Sequence, residues 1–172
     1  MDVLGVGVLL SGKSGIGKSE YALDLVIRGH RLVADDMVFI KKKMPAVLIG
    51  QAEEALQYLM EIRGLGIINI KDLYGVSAIR DKKIVDMQLE LVEWDETQEY
   101  DRLGVDDRTT SILGIEIPHI VIPVRPGRNL GSIIEVAARN NLLKGMGCHS
   151  ARDFQERLMA RIEARPLGDE VE

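Results

Sequence analysis

The stretch Gly12 to Ser19, GKSGIGKS, constrains this chain more than any other. It follows an apolar run from Val3 to Ser11, VLGVGVLLS, which has the composition of a buried parallel strand. From Lys18 the segment KSEYALDLVIRG places Tyr21, Ala22, Leu25 and Val26 at helical spacing. Gly12, Gly17, Lys18 and Ser19 meet the pattern G-x-x-x-x-G-K-[ST]. The chemistry of that pattern is an anion cradle. Glycines let the backbone bend, so that the N–H groups of Gly12, Lys13, Ser14, Gly15, Ile16, Gly17, Lys18 and Ser19 turn inward toward phosphate oxygens. The helix that follows aims its positive end at the same anion. Lys18 adds a point charge for the β- and γ-phosphates, and the Ser19 hydroxyl is a ligand for Mg²⁺. The plain alternative is a chance match in a glycine-rich turn. The readable strand before it and helix after it favour the cradle.

The rest of the chain reads as α/β. Gly29 stops the first helix, and HRLVADD gives a second strand over Arg31 to Ala34 that ends in two aspartates. Strand, loop, helix and strand then make a βαβ-like unit. KKKMP, from Lys41 to Pro45, is a solvated turn and AVLIGQ a strand. EEALQYLMEIRG begins as a helix that runs into Gly64, and GLGIINIKDLYG mixes a strand with a turn. Ile84 to Val92 alternates apolar and polar residues, as a half-buried strand does. DETQEYDRLGVDDRTT is a polar loop. Strands punctuated by Pro118, Pro123 and Pro126 follow, then a helix up to Gly145 and a second amphipathic helix with Ser150 as N-cap. Residues 166–172 form a loose tail. The expected architecture is one domain, residues 1–172: a central mixed sheet flanked by helices, with helices at the C-terminus.

Composition narrows the function classes. A chain of 172 residues with 46% hydrophobic residues can bury one core. Its net charge of -5 argues against nucleic acid as the main partner, since phosphate backbones attract basic surfaces. No apolar run is long enough to span a membrane, and the first residues lack the basic leader of a signal peptide. Cys148 is the only cysteine, so no intrachain disulfide forms and a reducing, cytoplasmic compartment fits. His30, His119 and His149 share no metal-ligand spacing with Cys148, and no Ser-His-Asp set is apparent.

Asp35 and Asp36 follow the second strand, where ligands collect in open α/β sheets. Adjacent residues point to opposite faces, so the pair divides its work. One carboxylate supports Mg²⁺, and the other accepts a proton from an attacking hydroxyl. Turn-capping is the alternative for both. Glu61 in MEIRGLGIIN offers a further hard oxygen to Mg²⁺, and Arg63 a planar fork for phosphate, against the alternative of a surface ion pair. Arg102 is a lone basic residue in YDRLG. Arg125 and Arg128 lie in PVRPGR, a rigid turn suited to an anion or a partner. There is no N-K-x-D stretch of a guanine-selecting switch. A protein or metabolite kinase remains, or a module that binds nucleotide without reaction.

Five stretches taken together, GVGVLLSGKSGIGKSE, RGHRLVADD, EIRGLGIINI, YDRLG and IPVRPGRNL with IIEVAA, resemble the bifunctional HPr kinase/phosphorylase family of bacteria. The likeness runs from the first strand to the last helix, and EIRGLGIINI is its most specific part. It implies a catalytic domain similar to phosphoenolpyruvate carboxykinase around the loop, assembled as a hexamer. It implies phosphorylation of a serine on the carrier protein HPr with ATP and Mg²⁺. The reverse reaction would be phosphorolysis by inorganic phosphate, giving pyrophosphate. On this sequence, Gly12 to Ser19 would hold nucleotide or pyrophosphate. Lys18, Asp36 and Arg102 would be catalytic, with Asp36 the proton acceptor forward and donor in reverse. Ser19 and Glu61 would bind Mg²⁺ with Asp35 in support. Met60 to Asn69 would serve both reactions, and Pro123 to Arg128 chiefly the dephosphorylation. The family's N-terminal domain, and its histidine in an S-V-H-G stretch, fall upstream of the residues present here. Lys13 also departs from the pattern, since the family often carries an acidic residue there.

Overall fold

The computed structural model describes residues 1–98, 100, 107–125 and 127–163. The fold is mixed α/β, with a sheet flanked by helices. Its centre is a five-stranded sheet, order β1-β2-β8-β10-β9. The strands are β1 (Asp2–Val3), β2 (Val6–Gly12), β8 (Met87–Glu93), β9 (Thr109–Ile112) and β10 (Ile115–Val124). β2, β8 and β10 run parallel, and β1 and β9 are antiparallel edges. The expected first strand is therefore a short hairpin, turned at Leu4 and Gly5, both at positive φ.

One face of this sheet is covered by α1 (Lys18–Ile27) and α3 (Leu130–Gly145). Val6, Val8, Met87, Leu89, Leu91 and Ile122 meet Leu25 of α1 and Leu130, Ile134 and Ala138 of α3. Each fully buried Leu, Ile or Met here contributes about 1.5–3 kcal/mol. The other face carries a small antiparallel sheet, β3 (Phe39–Lys43), β4 (Val47–Gln51) and β7 (Lys82–Ile84). Leu48, Val85 and Ile117 pack there with Leu9 and Ile40. A hairpin, β5 (Leu59–Ile62) with β6 (Gly66–Asn69), and the short helix α2 (Ile70–Tyr74) pack Met60 and Ile70 against Ala22 and Val26 of α1.

Several sequence expectations change. Arg31 to Ala34 is not a strand of the main sheet. Only single bridges form, Asp2 with Arg31 and Leu32 with Ile79, because both neighbours are themselves short edge segments. The βαβ-like unit is accordingly interrupted. The next strand parallel to β2 is β8, and the small sheet and hairpin are inserted between them. The helix expected from Glu53 is one 3₁₀ turn, Glu54–Leu56. Beyond it, antiparallel pairing with β6 takes Leu59 to Ile62 into a strand. The lysine run is a strand, β3, with Met44 and Pro45 in the turn after it. β10 passes unbroken through Pro118 and Pro123. His119 donates outward to the Arg108 carbonyl, 2.9 Å. Alternation puts Pro123 on that same outer side, beyond the end of β9, where its missing N–H breaks no ladder bond.

α4 (Ser150–Glu163) matches the expected second amphipathic helix, yet buries none of its residues. Phe154, Leu158, Met159 and Ile162 are all exposed. No helix among the described residues is long and apolar enough to cross a membrane. The proposed loose tail lies outside the described residues.

The tightest junction is at Gly7. A β-carbon there would lie 1.6 Å from the Ile84 carbonyl oxygen of β7. Gly7 also donates to the Asp86 carboxylate, 2.6 Å, and accepts from the Asp86 N–H, 2.8 Å. The Ile84 carbonyl is backbone, so it cannot rotate away. Gly7→Ala is expected to cost roughly 3 kcal/mol, read as a lowered urea midpoint with unchanged slope.

Candidate functional site

The C-terminal ends of β2, β8 and β10 point the same way, and three segments leave from them. The glycine-rich loop follows β2, Trp94 follows β8, and the Arg125 turn follows β10. Gly17, at φ 99 and ψ 20, stands in the left-handed region as the N-cap of α1. It offers no side-chain acceptor. The first turn of α1 therefore presents backbone N–H donors with no capping side chain, at the positive end of the helix dipole. Ile16 packs on the core and so anchors the loop from beneath. The Lys18 ammonium bonds the carbonyls of Gly12, 2.9 Å, and Lys13, 3.0 Å. Lys13 itself reaches outward to Glu93, 3.8 Å, with both side chains well exposed.

Asp35 is the junction of the site. One of its oxygens accepts from the Ser19 hydroxyl, 2.8 Å, and the other from the Glu61 backbone N–H, 3.1 Å. Burial pushes its carboxyl above the ordinary carboxylate range. The two hydrogen bonds pull it back, and the charges of Asp36 and Glu20 push it further up. Asp36 is exposed and turns into the open space beside the loop.

Two cavities meet at Ser14, Lys18 and Asp36. The larger, about 520 Å³, runs from Gly12 along Leu9 and Ser11 to Ile40 and Gly50 of the small sheet and Val85 just after it, with Asp35 and Asp36 on its wall. The smaller, about 130 Å³, is polar. Gly15, Gly17, Ser19, Glu20, Glu61 and Arg63 complete its lining. The structure thus brings Lys18, Ser19, Asp36 and Glu61 together in one cleft, with Asp35 bonded to two of them. Sequence reasoning passed over Glu20. Its signal was its place directly after Ser19, in the first turn of the helix.

Ser19, Asp35 and Glu61 supply only hard oxygens, which suits Mg²⁺. No group of three His, Cys, Asp or Glu side chains converges as a metal cage among the described residues.

Other candidates lie elsewhere. Arg102 falls outside the described residues, as does Pro126. Arg125 stands 3.4 Å over the Trp94 ring, which stacks on Tyr100 at 4.9 Å. Arg128 donates to the Pro123 carbonyl, 3.1 Å. The histidines are spread out. His30 pairs with Glu135 at 2.7 Å and His119 with Glu90 at 3.0 Å.

The chain was compared with known proteins. The family model described as HPr Serine kinase C-terminal domain matches residues 1–158. An HPr kinase/phosphorylase of Geobacter sulfurreducens is 75% identical over 172 residues, all of this chain and 54% of its own length. One from Peptoclostridium acidaminophilum is 55% identical over 94% of this chain and 53% of its own. The chain thus spans about half the length of the curated relatives it matches. Among solved structures, the Hpr(Ser) kinase/phosphatase from Coxiella burnetii superposes with a TM-score of 0.80 at 38% identity. That match covers 90% of this chain and 94% of the other. With its family model spanning the sheet, the loop and the first part of the last helix, the chain belongs to the HPr Serine kinase C-terminal domain family.

Proposed function

We propose that this domain transfers the γ-phosphoryl group of ATP to a serine of HPr, and reverses the transfer with inorganic phosphate. The observation that carries this reading is the convergence of Lys18, Ser19, Asp36 and Glu61 at the uncapped end of α1. The names of the relatives supply the acceptor. We also read the loop region as related to phosphoenolpyruvate carboxykinase, and the setting as cytoplasmic.

In the forward direction the loop N–H groups and Lys18 hold the β- and γ-phosphates. Ser19 and Glu61, with Asp35 behind them, would hold Mg²⁺, which supplies charge neutralisation at the phosphates. The serine oxygen attacks the γ-phosphorus, its bond to the β-phosphate oxygen breaks, and ADP leaves. Asp36 takes the hydroxyl proton. In reverse, an oxygen of inorganic phosphate attacks the phosphoserine phosphorus and the bond to the serine oxygen breaks. Asp36 returns a proton to that oxygen, and the product is pyrophosphate. One carboxylate serves both directions by microscopic reversibility. Arg102 is assigned to transition-state charge, and the turn from Pro123 to Arg128 to the reverse reaction, by resemblance.

The test is a two-way assay on purified HPr. ATP and Mg²⁺ should give phosphoserine, and phospho-HPr with phosphate should give pyrophosphate. ATP binding without either product would leave a nucleotide-sensing module and overturn the proposal. Asp36→Asn is expected to lower kcat by about 10²–10⁴ in both directions. A loss in one direction only would remove Asp36 as the shared proton carrier.

The raised pKa of Asp35 gives a stability prediction. An unfolded aspartate titrates near ~3.9, so between that pH and its raised folded value the folded state binds more protons. Stability is then lost as pH rises through this window. Asp35→Asn, in chelator without nucleotide, should melt above wild type at pH ~7, and the gap should close as pH falls below ~4. A lower melting point for the variant at neutral pH would mean that the two hydrogen bonds outweigh burial.

The exposed apolar stripe of α4 suits the hexamer that the resemblance implies. Phe154→Glu with Leu158→Glu should then reduce the assembly to smaller species in sedimentation velocity. An unchanged sedimentation coefficient would place the interface elsewhere.

A further inference from the structure

Arg28 is the C-cap of α1, the helix whose other end follows the glycine-rich loop. All three of its guanidinium nitrogens are engaged. Nε donates to the Asp24 carboxylate one turn back, 2.8 Å. Nη1 donates to the Ser132 hydroxyl, 3.3 Å, and lies 3.8 Å from a Glu135 oxygen. Nη2 donates to the side-chain carbonyl of Asn129, 3.1 Å. Asn129, Ser132 and Glu135 belong to the N-cap and first two turns of α3. The buried His30 holds the other Glu135 oxygen at 2.7 Å. Gly131 makes the approach possible, because a β-carbon there would collide with the Asp24 carboxylate and with Arg28 Nε.

A staple between two helices is the plain role of such a cluster, and two features point further. The Asn129 oxygen that Arg28 holds is the one that caps α3, accepting from the Ser132 N–H at 3.1 Å. Asn129 also follows directly on Arg128, whose own bonds close the turn after β10. The Arg128 guanidinium donates to the Pro123 carbonyl, 3.1 Å, and its N–H to the Arg125 carbonyl, 3.2 Å. Arg125 in turn lies on the Trp94 ring. The backbone leaving β10 is thus pinned at its far end by a side chain of α1. Arg28 itself lines neither cavity at the loop.

We infer that Arg28 is a positioning residue: by holding Asn129 it sets where Arg125 and Arg128 stand, and so supports the reverse reaction. The turn from Pro123 to Arg128 serves that reaction in the reading proposed above, on which this role of Arg28 rests. One helix then carries the phosphate loop at its start and clasps the second basic segment at its end. The clasp calls for a fork, since its acceptors on α1 and α3 lie in different directions and each nitrogen meets its own. An ammonium offers one point of attachment in their place.

The experiment compares the full 172-residue chain with its variants Arg28→Met, Arg28→Lys and Asn129→Ser. Arg125→Gln is the reference for Trp94 without its cation. A serine at position 129 keeps a cap on α3 but withdraws the carbonyl that Arg28 holds, so it tests the clasp even where Arg28→Met unfolds. Trp94 emission is read first, without ligand, and then the rates of both reactions on HPr. In Arg28→Met and Asn129→Ser the emission should move toward that of Arg125→Gln. Their kcat/KM for phosphorolysis should fall about tenfold, with phosphorylation of HPr within about twofold of wild type. Arg28→Lys should recover only part of the loss. If folded variants keep the wild-type emission, Arg28 does not place the turn and the inference falls. It falls equally if emission moves while phosphorolysis is unchanged, or if both rates drop together. If wild type forms neither product, the reading of function falls instead, and the emission still decides whether Arg28 holds the turn.

Discussion

Two hydrogen bonds to one carboxylate hold the candidate site together. Asp35 accepts from Ser19, at the first turn of α1, and from the backbone of Glu61, on the β5–β6 hairpin. These segments are remote in sequence, and no strand of the main sheet joins them. The core sets α1 against the hairpin through Ala22, Val26, Met60 and Ile70. Asp35 then fixes the register at which the polar ends meet. A carboxylate is well suited to the task because it offers acceptors on two sides. It is held under tension, since burial and the neighbouring charges of Asp36 and Glu20 oppose its ionisation. A cation near Ser19 and Glu61 would relieve that opposition. The carboxylate that organises the site is thus also one whose ionised form a bound cation would favour.

Legibility in the sequence followed the range of the interactions. The loop and α1 could be read because everything that shapes them is local: glycines, a helical period and an apolar strand before. β8 was legible from Met87 to Val92, where Met87, Leu89 and Leu91 alternate against the helical layer, but the strand expected from Ile84 is broken, because Ile84 pairs with Ile49 and ends β7 of the small sheet. α3 ended at Gly145 for local reasons too. The failures came where a distant partner decided the outcome. Glu61 sits in a stretch with helical spacing, and only pairing with Ile67 across a hairpin makes it a strand residue. Arg31 to Ala34 has strand composition, but the positions beside it hold short segments that pair one residue at a time. No single-sequence pattern carries that information. The resemblance named the same side chains without giving their contacts. That Asp35 faces Ser19, and that Arg63 lies over Gly15, are facts of tertiary packing.

The inserted small sheet has a positional role as well. It rests on the face of the main sheet opposite the helices, and Gly7 lets β7 come down onto β2. Ile40, Gly50 and Val85 thereby close the far wall of the larger cavity. Helices cover one face of the sheet, and this second layer shapes the space beside the loop on the other. The long excursion between β2 and β8 is part of how the site is enclosed.

The chain has a single tryptophan, and it follows β8 at the end of the main sheet from which the glycine-rich loop also leaves. Trp94 leaves the end of β8 with the Arg125 guanidinium on its ring and Tyr100 stacked nearby. Indole emission is sensitive to a cation at its face and to the water around it. Any event that lifts the turn after β10, or draws the polar segment after β8 away, will therefore change the colour and intensity of a lone fluorophore. The domain thus carries a built-in optical gauge of the packing between the segments that follow β8 and β10, readable in solution without a label.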